Sequence, residues 1–61
     1  MRLSGRLTKG ARSLLITTPD EGTWIVDAPE FDGALLEQNV IVEGVLKSPE
    51  RILADWIGIA A

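Results

Sequence analysis

The fold is decided by one stretch of sequence, NVIVEGVL at residues 39–46. It has the highest density of β-branched residues in the chain and lacks the spacing of an amphipathic helix. Strand alternation places one set of side chains on each face: Val40, Val42, Gly44 and Leu46 on one, and Ile41, Glu43 and Val45 on the other. The stretch therefore predicts a mostly buried strand, and the other elements can be placed by what pairs with it.

Alternating apolar and polar residues predict four further strands, at 2–8, 13–18, 23–28 and 52–59. Gly5 falls on the inward face of the first strand, where a missing side chain marks a bulge, a bend or a close backbone approach. Residues 19–22, with Pro19 first and Gly22 last, predict a tight turn with left-handed backbone at the glycine. Between the third and fourth strands, residues 29–37 predict a short helix or a helical turn.

Five short strands around one helical segment predict an all-β fold with a single domain over residues 1–61. An open sheet of these strands would expose two apolar edges, and closure into a small barrel removes them. A glycine in the middle of the first strand suits closure, because one strand must bend to join both halves of a barrel.

Four segments carry a resemblance to a known fold: LSGRL at 3–7, GTWIV at 22–26, NVIVEG at 39–44 and the closing strand at 53–57. Together they resemble an OB-fold-like barrel and, more narrowly, a group of small bacterial domains of unknown function. The resemblance implies ligand binding near the loops after strands one and four, or a role in protein assembly. An SH3-like barrel is the alternative, and the helical segment between strands three and four favours the OB-like form.

The 61 residues include no Cys and no His, which removes disulfides and the usual zinc site as sources of stability. With a hydrophobic fraction of 46%, this favours a homo-oligomer or a protein partner. No apolar run approaches the roughly 20 residues needed to cross a bilayer. The N-terminus lacks the apolar core of a secretory signal, so we expect a cytoplasmic protein without a membrane partner.

Catalysis is not expected, because the chain has neither Cys nor His and its serines lack an activating partner. No glycine pattern resembles a phosphate-binding loop. The neighbouring acids Asp20 and Glu21, and Glu30 and Asp32, belong to a turn and a helix start, where acids are common without function. The sequence therefore predicts a protein that is not an enzyme and has no cofactor or metal.

Four basic residues flank the two loops that the OB-like form uses for binding: Lys9, Arg12, Lys47 and Arg51. They predict a positive cleft that could bind a nucleic acid or another polyanion weakly, although the net charge is −3. Single-stranded nucleic acids also need aromatic platforms. Trp24 and Trp56 follow the apolar period of their strands and are predicted in the core, and Phe31 is predicted to plug the barrel end. Nucleic-acid binding is therefore the disfavoured alternative.

The remaining apolar side chains predict an interface on the outside of the barrel. The predicted interior contains Leu14, Ile16, Trp24, Val26, Val40, Val42, Leu46, Ile52 and Trp56. This leaves an aliphatic outer set too large for a small monomer, from which the predicted interface is Ile41, Val45, Leu53, Ile57 and Ile59. A bulge at Gly5, Gly44 or Gly58 would exchange part of the two sets. The preferred function is a binding or assembly module that self-associates through this outer face.

Overall fold

The computed structural model describes residues 1–28 and 31–60 and contains strands wherever the alternation predicted them. A single 3-10 turn, Gly33–Leu35, lies between the third and fourth strands, and Asp32 caps it by accepting a hydrogen bond from the Ala34 amide. It occupies part of the predicted helical segment, of which Pro29 and Glu30 lie outside the described residues. The strands are β1 Arg2–Lys9, β2 Leu14–Thr18, β3 Gly22–Asp27, β4 Asn39–Ser48 and β5 Arg51–Ile59.

The five strands form a closed barrel in the order β1-β2-β3-β5-β4, and β4 pairs with β1 to close the ring. All neighbours are antiparallel except β3 and β5, which pair in parallel over residues 25–27 and 51–53. β1 belongs to both halves, because residues 2–6 pair with β4 and residues 6–9 pair with β2. The predicted closed all-β barrel is confirmed.

Of the features predicted for Gly5, the close backbone approach is the one that the structure shows. A Cβ atom at this position would lie 2.1 Å from the carbonyl oxygen of Thr17 and 3.1 Å from the Cα of Thr18. The end of β2 therefore passes across the inner face of β1, and only a residue without a side chain allows this approach. Gly22 has φ 80, which confirms the left-handed turn predicted between β2 and β3.

The core lies inside the barrel and is aliphatic. Its buried side chains are Leu3, Leu7, Leu14, Ile16, Val26, Val40, Val42 and Ile52. Val40 and Val42 come from the stretch that decides the fold, and both are completely buried. Leu46, predicted in the core, is 48% exposed, because the β4–β5 hairpin extends beyond the barrel and its residues 45–50 are all exposed.

A bulge in β5 reverses the predicted sides of the residues that follow it. Glu43 pairs with Trp56 and Gly44 with Ala54, so Asp55 is an extra residue without a partner on β4. Because one extra residue turns every later side chain to the other face, Trp56 points outward and is 52% exposed. The core prediction for Trp56 is therefore wrong. Of the three glycines at which a bulge was considered, Gly5, Gly44 and Gly58, the register change occurs at Gly44.

The same bulge moves two residues of the predicted outer set towards the interior. Ile57 pairs with Val42 and packs against the core, so its predicted outward position is wrong. Ile59 pairs with Val40 and faces the interior side as well. It lies at the end of β5, where it remains 55% exposed.

Candidate functional site

The predicted basic cleft contains an acid at its centre. Both carboxylate oxygens of Asp27 accept hydrogen bonds from Nη1 of Arg51, at 3.0 Å each. The Nζ of Lys47 lies 3.9 Å from Oδ2 of the same carboxylate. The parallel pairing causes this arrangement: Asp27 pairs with Leu53, and the side chain of Arg51, two residues earlier in β5, lies on the same face. Two of the predicted anion-binding residues thus share one carboxylate within the chain, which offsets one of their two positive charges.

Lys9 and Arg12, the other two predicted anion-binding residues, lie near Asp27. Together with Asp27 and Phe31 they line a cavity of about 330 Å³ at the end of the barrel. Neither cation forms a salt bridge with an acid of the described residues. Phe31 is 39% exposed and forms part of the cavity wall, so it does not close the barrel end as predicted.

The pairing of Asp27 with Arg51 and Lys47 was not predicted from the sequence. The sequence shows only that Asp27 is an acid on the outward face of the third strand. Its partner Arg51 lies far away in the chain and is brought beside it by the pairing of β3 with β5. The local pattern around residue 27 does not indicate which basic residues will lie beside it. The cleft predicted as uniformly positive therefore contains a clustered ion pair flanked by two further cations.

The two tryptophans have different environments. Trp24 is half-buried against the core, as predicted, and its Nε1 donates a hydrogen bond to the carbonyl oxygen of Glu21 at 3.1 Å. The Trp56 indole lies over Gly58 on the outside of β5, since a Cβ at Gly58 would be 2.3 Å from two of its ring carbons. Gly58 thus provides the space for the exposed side chain of Trp56, which strand alternation alone predicted in the core.

Trp56 belongs to an apolar surface that we call the β4–β5 outer face, formed by Ile41, Val45, Leu53 and Trp56. Val45 pairs with Leu53, and the Trp56 ring covers Gly58, which pairs with Ile41. Val45 is 58% exposed, whereas Ile41 and Leu53 are partly exposed. Three of the five predicted interface residues, Ile41, Val45 and Leu53, are therefore on this face. Ile57 and Ile59 are not on it, and Trp56 is.

Ion pairs border the β4–β5 outer face on two sides. On one side Nε of Arg2 lies 3.5 Å from Oε2 of Glu43. On the other side is the cluster formed by Asp27, Lys47 and Arg51. Glu43 itself lies on the face, between Ile41 and Val45 and opposite Trp56, so the face combines exposed apolar side chains with charged groups.

The described residues contain no cluster of three or more potential metal-ligating acids. No described helix is long and apolar enough to cross a membrane.

Fold and surface together define a small closed five-stranded β-barrel with an exposed apolar face and a mixed-charge end. The chain belongs to the family described as a protein of unknown function (DUF5818), whose model matches residues 4–60. No curated protein and no solved structure matches it. The family assignment confirms the expectation of a small domain of unknown function.

Proposed function

We propose that this barrel is a non-enzymatic binding and assembly module that self-associates through the β4–β5 outer face. One observation supports this proposal above the others: the bulge at Asp55 turns Trp56 outward beside Val45. Tryptophan is enriched among the side chains that dominate interface energies, and here its ring is exposed on a rigid strand.

A second copy of the chain is the partner that the face fits. Charged side chains of both signs lie on or beside it, with Glu43 on the face and Arg2 and the Asp27 cluster next to it. In a twofold dimer the same patch faces itself, so a patch with both signs allows each cation to face an acid of the other copy.

Light scattering on the purified protein tests the proposal. We expect a mass above the 6.6 kDa of one chain, and a return to one chain for Val45→Arg and Trp56→Arg. Both side chains are at least half exposed, so these variants remain folded. Thr23→Arg is the matched control, since Thr23 is exposed on β3, away from this face, and its mass should equal that of the unaltered protein. A single-chain mass for the unaltered protein at high concentration contradicts the proposal.

Weak polyanion binding at the barrel end is the second candidate, and one observation favours it. Lys9 and Arg12 share a cavity wall with Phe31 and have no acid partner among the described residues. Binding through these two cations predicts that log K falls with log salt concentration with a slope of about −1.4 for single-stranded DNA, at about −0.7 per phosphate.

Asp27→Asn gives this candidate a sharp test, because it releases Lys47 and Arg51 from their shared carboxylate. The variant should bind single-stranded DNA more tightly in a mobility-shift assay, and the salt slope should steepen towards about −2.8. Arg12→Glu should abolish the shift. If the unaltered protein gives no shift at low salt and Asp27→Asn gives none either, the barrel end is not a polyanion site.

A further inference from the structure

The first half of β1 has one unpaired edge. The Met1 amino group donates to the carbonyl oxygen of Gly44 at 2.8 Å, and the Gly44 amide donates back to Met1 at 2.9 Å. This reciprocal pair fixes the phase of the antiparallel ladder, so alternate residues from Met1 onward direct their N–H and C=O groups to β4. Leu7 agrees with this phase, because its amide and carbonyl bond to Gln38 and Glu37 on the same side.

Arg2 and Ser4 consequently direct their backbone N–H and C=O groups away from β4. Pairing with β2 begins only at Arg6, which lies opposite Thr17. Among the described residues the β1–β2 ladder does not reach Arg2 or Ser4, and no turn, loop or side-chain group bonds to the free edge of either residue.

Two features of the chain keep this edge open. Continuing the register would place Pro19 opposite Ser4, and proline has no N–H to donate. At Gly5, moreover, the end of β2 passes across the inner face of β1 and does not continue beside it. The edge adjoins two cavities of about 640 and 420 Å³, which share Ser4, Thr18 and Pro19 in their walls.

The side chains beside the edge indicate the chemistry of an added strand. Arg2 and Arg6 project from the outer face on either side of Ser4, and both are more than half exposed. Their carboxylate contacts, to Glu43 at 3.5 Å and to Glu37 at 3.8 Å, are exposed pairs that leave guanidinium donors free.

A residue opposite Ser4 on an added strand is within diagonal reach of both arginines. Asp20 and Glu21 line the other side of the groove. Acidic side chains therefore suit the peptide residues that face outward beside Arg2 and Arg6. They do not suit the alternate peptide residues, which face the opposite side.

We propose that the Arg2–Ser4 edge of β1 binds an extended peptide by strand addition, with acidic side chains at alternate positions. Backbone hydrogen bonds to Arg2 and Ser4 supply the pairing, and Arg2 and Arg6 supply the selection for acids. This site adjoins the β4–β5 outer face at Arg2 and Ile41, but its backbone hydrogen bonds do not depend on the proposed self-association.

The test is a fluorescence-polarisation titration with a short labelled peptide in which valine and glutamate alternate. Ser4→Pro removes the edge N–H without removing a bond to β4, because proline is tolerated on a strand edge that faces solvent. We expect Ser4→Pro to weaken binding about tenfold or more, whereas Ser4→Ala, which keeps the N–H, binds as the unaltered protein does. Trp56→Arg should also bind unchanged, which separates this site from the outer face.

Two comparison peptides complete the experiment. A valine–glutamate peptide with methylated backbone nitrogens should not bind, and this result carries the test if Ser4→Pro fails to fold. An alternating valine–lysine peptide should bind at least tenfold more weakly. Equal binding of the lysine peptide, equal binding to Ser4→Pro and Ser4→Ala, or no binding to the unaltered protein each overturns the proposal. It is also overturned if light scattering shows that Ser4→Pro separates a dimer that Ser4→Ala retains, since the occupant is then a second copy.

Discussion

Gly5 has no room for a side chain, because the end of β2 lies against the inner face of β1 at this position. We expect Gly5→Ala to lower the free energy of unfolding by about 2–3 kcal/mol, since the methyl group would meet backbone atoms that cannot move independently. Gly33→Ala is the control: nothing lies within 4 Å of a Cβ there, and the substitution should be neutral or stabilise by up to about 1 kcal/mol. Urea unfolding of the two variants measures the difference, and equal effects would contradict the close approach.

At the residue scale, the sequence predicts those features whose cause is local. The conformational freedom of Gly22 and the close approach at Gly5 were both predicted from the position of a glycine in a strand or turn. The ion pair of Asp27 with Arg51 was not, because the two residues meet only through β3–β5 pairing across 24 positions of sequence. The charge pattern predicted the four basic residues of the candidate site. It did not predict that Asp27 would pair with Lys47 and Arg51.

At the element scale, the bulge in β5 determines which side chains face the core. Ile57→Ala should lower the free energy of unfolding by about 2 kcal/mol, because Ile57 packs against the core opposite Val42. Trp56→Ala should cost less than about 1 kcal/mol despite the larger side chain removed, since Trp56 lies on the outer surface. Chemical denaturation of monomeric samples compares the two, and the reverse order would indicate a β5 without the bulge.

The five strands could be predicted from alternation, but the bulge could not be placed. An alternating pattern is equally regular on either side of one extra residue, and three glycines were candidate positions. What decides the register is the pairing of Gly44 with Ala54, where a Cβ on Gly44 would lie only 1.9 Å from the carbonyl oxygen of Leu53. This contact is between strands, so alternation alone predicted Ile57 outside the barrel and Trp56 inside it, the reverse of their positions in the structure.

At the scale of the whole molecule, the barrel is closed between β3 and β5 over a short parallel pairing. The Ile25 amide donates to the Glu50 carbonyl oxygen at 2.7 Å, and the Asp27–Arg51 ion pair joins the outer surfaces of the same two strands. Asp27→Asn should therefore lower the free energy of unfolding by about 1 kcal/mol, with the loss reduced at high salt. Glu43→Gln removes the more exposed Arg2 pair and should change stability by less than about 0.5 kcal/mol. Equal losses in urea unfolding would show that the Asp27 pair does not reinforce this closure.

Closure itself could be predicted from the sequence, because open edges of apolar strands are unfavourable whatever the strand order. The strand order could not be read from alternation, since that pattern gives the sides of a strand but not its neighbours.

The pairing of β1 also imposes an order on folding. Residues 6–9 can pair with β2 in a local hairpin, whereas residues 2–6 must wait for residues 39–43, more than thirty positions later in the chain. Contacts this distant in sequence are slow to form, because the entropy of closing the intervening loop is lost before they contribute. We therefore expect pairing with the stretch at 39–46 to limit the rate of folding, and before it forms the first half of β1 has no partner strand on either edge.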